Sequence, residues 1–128
     1  MKVLLDTHVF LWFVLGQREC TPATRAIIEN PKHECLVSIA SLWEIGIKHA
    51  LGKLELHSPI EDFFKSFTNG GFVPRPVTMP HILELSKLPL HHRDPFDRML
   101  IAQAKAEGMQ LLTADPHFAQ YDVPLVKA

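Results

Sequence analysis

The sequence predicts a three-layer α/β/α domain built on a mainly parallel central sheet of about five strands. Three observations carry this expectation. Short strand-like runs recur at residues 2–5, 36–38 and 109–113, each too brief for a helix. Between them lie longer stretches with apolar residues at helical spacing, several opened by Thr-Pro, Ser-Pro or Asp-Pro and closed by glycine. Strands that alternate with helices in this way favour parallel pairing, with helices on both faces of the sheet.

Taken in order, residues 2–5 (KVLL) form a strand that is apolar after its first residue, as buried parallel strands are. Residues 7–16 form a short helix, with Phe10, Leu11 and Val14 on one face and Gly16 at its end. Thr21 is the N-cap and Pro22 the first residue of the next helix, which stops before Pro31. After the strand at 36–38, residues 39–51 read as a helix closed by Gly52. Ser58-Pro59 opens a helix with Phe63, Phe64 and Phe67 on one side, ended by Asn69-Gly70-Gly71. Two prolines restrict residues 73–77 to a brief edge or irregular strand. Residues 79–87 are helical and 88–92 a loop. Asp94-Pro95 starts a helix running to Glu107 and closed by Gly108. The strand at 109–113, a short helix capped by Asp115-Pro116 and an edge strand at 124–126 complete the chain.

The 128 residues suit one domain, 1–128, with no repeat or linker. With 47% apolar and 21% charged residues the composition is globular rather than disordered. Net charge is −1, so no global field attracts nucleic acid, and phosphate binding requires a local basic patch or bound cations. Cys20 and Cys35 lack metal-type spacing and fit a reducing cytoplasm. Asp6 and His8 interrupt the apolar N-terminal stretch expected of a signal peptide, and the longest apolar run, 9–15, is too short to span a bilayer. A soluble cytoplasmic protein is expected, with no membrane partner.

Chemistry in an open α/β sheet gathers at the carboxyl ends of the strands. Asp6 ends the first strand there, and Asp115 follows the strand at 109–113. Asp97 lies in the first turn of the helix feeding that strand, and Glu44 lies on the helix leaving the strand at 36–38. Each has a plain structural role open to it. Asp6, Asp94 and Asp115 suit N-caps, Asp97 suits the helix dipole, and Ser41-x-x-Glu44 has capping-box spacing unless the helix begins at Ser38. Together they ask for more. Converging carboxylates repel and raise one another's pKa, and hard divalent cations remove that repulsion. The chemistry that follows is metal-assisted phosphodiester hydrolysis. Lys48, Arg93 and Arg98 are the basic residues nearest this set and are candidate phosphate contacts, with His91 and His92 as weaker ones. Trp12 and Trp43 lie on apolar helix faces, suiting core or interface.

Four segments, LLDTHVFLW (4–12), SxxSLWEIGIK (38–48), HRDPFDRMLIAQA (92–104) and LLTADPHF (111–118), resemble the successive motifs of PIN-domain ribonucleases. The likeness is greatest to the VapC-type toxins of bacterial toxin–antitoxin pairs, and it covers essentially the whole chain in order. It implies a PIN-like fold and Mg²⁺- or Mn²⁺-dependent RNA cleavage, with Asp6, Glu44, Asp97 and Asp115 at the family's acidic positions. Asp97 is preferred to Asp94 because it precedes the apolar LIAQA helix, which leaves Asp94 a supporting, capping part. Thr7 and Thr113 match hydroxyls that support the metal site. The resemblance also implies a homodimer held inactive by an antitoxin, for which an apolar face carrying Trp12, Phe13, Trp43 and Ile47 is the expected groove.

Other readings stay open. They are a PIN-like nuclease outside a toxin system, and a protein-binding module whose acids are merely caps. A phosphatase using Asp6 as nucleophile would want a second aspartate two residues on, where His8 stands.

Overall fold

The computed structural model describes residues 1–91 and 93–128. Its elements are β1 (Lys2–Leu5), α1 (Thr7–Val14), α2 (Pro22–Glu29), β2 (Glu34–Ser38), α3 (Ile39–Ala50), α4 (Ile60–Asn69), β3 (Val73–Arg75), α5 (Met79–Lys87), α6 (Pro95–Glu107), β4 (Gln110–Thr113), a 3₁₀ turn (Pro116–Gln120) and β5 (Leu125–Lys127). The five strands form one sheet in the order β3-β2-β1-β4-β5, and every pair is parallel. β1 is therefore central, flanked by β2 and β4, and both faces of it must be covered.

The strand period of two divides its side chains between two cores. Val3 and Leu5 join Cys35, Val37 and Leu112 on one face, under Phe10 of α1, Ile28 of α2, Ile45 of α3 and Phe63 and Phe67 of α4. Phe10 is the hub of this side, edge-on to Phe63, Phe67 and Phe72 with ring centroids 5.2–6.1 Å apart. Leu4, Leu36 and Leu111 face the other way, against Leu100, Ile101 and Ala104 of α6 and Phe118 of the 3₁₀ turn. These are the three layers the alternating pattern calls for. Among the described residues no helix is long and apolar enough to cross a membrane.

Caps set most helix boundaries. The Thr21 hydroxyl accepts from the Thr24 N–H, and the Asp94 carboxylate accepts from the N–H groups of Phe96 and Asp97. At the far end of α6, Gly108 takes a left-handed conformation (φ 65°), which lets the chain turn directly into β4. Departures from the sequence expectation lie at edges. β2 starts at Glu34, two residues early, where the Glu34 N–H reaches the Met1 carbonyl. β3 stops at Arg75 because Pro76 has no N–H to donate. The helix expected from Ser58 begins at Ile60 after Pro59, with no side-chain cap.

Candidate active site at the carboxyl edge of the sheet

Asp6 stands between β1 and α1, and its position follows from the ladder. Its N–H still bonds the Leu112 carbonyl at 3.0 Å, so the residue continues β1 beside Thr113. Its side chain is only 3% exposed. Asp6 does cap α1, but its Oδ1 lies 3.4 Å from the His8 N–H, a long bond that does not account for burying a charge. The strong contact is elsewhere: the Thr113 hydroxyl donates to Asp6 Oδ2 at 2.8 Å. Thr113 in turn accepts from the Asp115 N–H at 3.0 Å, so one hydroxyl fixes both acids at the ends of β1 and β4. Burial raises the Asp6 carboxyl above its ordinary 3.8, and the Asp115 charge adds to the rise, while the Thr113 hydroxyl and His8 oppose it.

Glu44 is carried by α3. Ser38 is the N-cap of that helix and its hydroxyl accepts from the Ala40 N–H, so Glu44 lies well inside it and is no part of a cap. Glu44 is 2% exposed. Lys48, one turn on, donates to its Oε2 at 2.7 Å, whereas Oε1 has no hydrogen-bond partner among the described residues. The Glu44 contact raises the Lys48 ammonium's pKa, and the charges of Asp94 and Asp97 on α6 raise it further. Lys48 therefore gathers the fields of Glu44, Asp94 and Asp97. Asp97 itself is buried, the third residue of the turn that Asp94 caps.

The carboxylates fall into two groups, Asp6 with Asp115 and Glu44 with Asp97. A buried bond from the Thr7 hydroxyl to the Ser41 hydroxyl, 2.7 Å, ties the start of α1 to α3 between them. Among the described residues no three acid, histidine or cysteine side chains stand close enough together to hold an ion as they are. The donor set nonetheless suits a hard divalent cation. All four acids offer oxygen, Asp6 is buried against its charge preference, and Glu44 Oε1 is an unsatisfied buried acceptor.

The caps are real as well. Asp115 Oδ1 takes the His117 N–H and ring, each at 2.9 Å. Of the basic candidates, Lys48 is held by Glu44, and Arg93 is exposed just before Asp94. Arg98 points away: its guanidinium donates to the Pro89 carbonyl at 2.9 Å and to the Tyr121 hydroxyl at 3.3 Å, bracing a loop instead of facing the acids. One residue along a helix is about 100° around it, which separates Arg98 from Asp97. His91 packs on Tyr121, and His92 lies outside the described residues. Two members of the expected apolar face have different neighbours. Phe13 turns to Phe72 and Arg25, whereas Trp43 packs on Phe96. Ser41 was expected only in a cap; its contact with Thr7 depends on how α1 and α3 pack, which no local pattern encodes.

Known proteins share this architecture. The structure of VapBC2 from Rickettsia felis, bound to a DNA fragment from its promoter, matches with a TM-score of 0.78 at 13% identity, over 100% of this chain and 99% of that one. VapBC-1 from nontypeable Haemophilus influenzae matches with a TM-score of 0.71 at 17% identity, over 99% and 98%. A toxin–antitoxin complex from Klebsiella pneumoniae gives 0.65 at 17%, over 97% and 95%. No curated protein sequence matches the chain. The family model for the PIN domain matches residues 3–124. That match spans four of the five strands and the four acidic positions, and the chain therefore belongs to the PIN domain family.

Proposed function

We propose that the protein is a Mg²⁺- or Mn²⁺-dependent endoribonuclease acting as the toxin of a toxin–antitoxin pair. The observation that carries the reading is the Asp6/Glu44/Asp97/Asp115 set at the carboxyl edge, two of its members almost wholly buried and one with an unsatisfied oxygen. Membership of the PIN family and the likeness to toxin–antitoxin structures support it.

In this mechanism Asp6 and Asp115, at the ends of β1 and β4, would hold the ion together with Glu44 of α3 and Asp97 of α6. A bound divalent cation supplies Lewis-acid charge stabilisation at the scissile phosphodiester. Thr113 aims Asp6 and fixes the Asp115 backbone, Thr7 and Ser41 hold α1 against α3, and Asp94 orients the turn bearing Asp97. Lys48 offsets the acidic charge that would otherwise repel a polyanion, and Arg93 meets a phosphate from the exposed side.

Protein partners have a surface to use. Trp43, 65% exposed, lines a groove of about 410 Å³ with Ile39, Val77, Leu85, Phe96 and Met99. Such an apolar face supports self-association or antitoxin docking.

The test is cleavage of purified RNA with Mg²⁺, Mn²⁺ or chelator. Metal-dependent cutting that is lost in Asp6→Asn and Asp97→Asn is expected; cutting that survives both substitutions sinks the assignment. Expression alone should arrest growth, and co-expression of the product of a neighbouring antitoxin gene should restore it. Trp43→Glu, with the site intact, should cleave RNA yet lose its partner contact in sedimentation.

A further inference from the structure

Beside the acids lies a second pocket, of about 240 Å³, between the 3₁₀ turn and the edge strand β5. It shares Thr113 and Asp115 with the candidate site, and its walls are Pro116, Ala119 and Leu125, with Lys127 at the rim. Register explains why Lys127 is there. Lys127 pairs with Thr113, and Thr113 stands beside Asp6, so the three residues form one row across β5, β4 and the end of β1. Residues directly paired across a sheet present their side chains to the same face. Two strand spacings, roughly 10 Å, separate Lys127 from Asp6. That is far enough for Lys127 to meet a phosphate next to the one at the acids, not the same one.

The charge distribution gives this lysine weight. With a net charge of −1 the chain must hold a polyanion through local cations. Lys48 is engaged by Glu44, and Arg98 by Pro89 and Tyr121. Lys127 is exposed and makes no ion pair among the described residues. Small apolar walls beside a free cation suit one nucleobase, whose flat apolar face can pack on Pro116, Ala119 and Leu125, and the phosphate attached to it.

We propose that this pocket is a nucleotide subsite: it seats the base flanking the scissile phosphate, and Lys127 holds the adjoining phosphate. The proposal rests on the nuclease reading, and binding is measured apart from cleavage so that the two fail separately. The probe is a mixed-sequence oligoribonucleotide, intact or abasic at single positions either side of the cut. Lys127→Ala is expected to raise Kd and KM roughly five- to tenfold with little change in kcat, and to lower the salt slope by about one contact. Ala119→Trp, filling the pocket from an exposed position, should weaken binding similarly. One flanking position alone should be sensitive to base removal, by roughly tenfold in wild type, and Ala119→Trp should erase that sensitivity. If wild type cleaves and neither variant alters Kd or KM, the subsite is wrong and the nuclease reading stands. If nothing is cleaved with either metal but both variants still weaken binding, the nuclease reading falls and the pocket remains a nucleotide site. Absence of cleavage and of variant-sensitive binding overturns both.

Discussion

The Thr113 hydroxyl donates to Asp6 Oδ2 at 2.8 Å, although 107 residues separate the two. It is the shortest route by which β4 controls the buried acid at the end of β1, and it makes Thr113 more than a strand terminus.

Thr113→Val keeps the shape of the side chain and removes this donor. Leaving Asp6 Oδ2 unsatisfied should cost about 1–3 kcal/mol of folding stability, read from urea denaturation. Ribonuclease activity should fall tenfold or more, since the carboxylate is no longer aimed, while Thr113→Ser should restore both.

Asp6→Asn separates stability from function. Burial raises the Asp6 pKa above 3.8, so at neutral pH the metal-free folded state carries an ionised group it disfavours. As pH falls through the folded-state value towards 3.8, the folded protein binds the proton first and this deficit disappears. With chelator at pH 7, Asp6→Asn should therefore melt higher than wild type, by roughly 2–5 °C. The gap should narrow on acidification, and the variant should be inactive. A lower melting temperature for Asp6→Asn in chelator would show that the carboxylate is already compensated.

Lys48→Met probes the other pair of acids. The Lys48 side chain is 41% exposed and that of Glu44 only 2%, so the loss should be about 1–2 kcal/mol, below that for a fully buried pair. Because the folded-state pKa of Lys48 is raised, its contribution is complete below 10.5 and disappears as pH climbs through the folded value. Stability curves of wild type and Lys48→Met should converge only at strongly alkaline pH.

His81 gives a pH effect remote from the acids. Its Nδ1 accepts the Thr78 N–H at 3.0 Å and its Nε2 lies 2.6 Å from Glu107, which also pairs with Arg75. The backbone donor leaves no room for a second ring proton, and burial with the Arg75 charge lowers the His81 pKa below 6.5. The unfolded chain thus takes up a proton first, and stability should fall by at most about 1.4 kcal/mol over the pH unit below 6.5. His81→Gln should flatten that limb when urea midpoints at pH 7.5 and 5.5 are compared.

Local signals made most of this fold legible. Asp94-Pro95 and Gly108 bracket α6 because a cap, a fixed φ and a left-handed glycine act within a few residues. Thr21-Pro22 does the same for α2. Four acids could be placed near one sheet edge from the order of elements alone. Pairing across the chain could not be read. The Thr113–Asp6 bond, the Thr7–Ser41 bond and the row through Lys127 all depend on which strand lies beside which. Arg98 was a candidate by proximity in sequence, but helical rotation turns its guanidinium to the Pro89 carbonyl and the Tyr121 hydroxyl. Phe13 and Trp43 share an apolar character but lie on helices that pack on different neighbours.

The central strand β1 comes first in chain order, and β4, one of its two neighbours, comes fourth of the five. Asp6 precedes Thr113 by 107 residues and Asp115 lies further on still, so translation delivers Asp6 well before either. A nascent or truncated chain lacking β4 has neither the hydroxyl that aims Asp6 nor its acidic neighbour. The order of the strands therefore acts as a timer: the carboxyl edge is completed only when β4 docks beside β1, a pairing of high sequence separation and so slow to form.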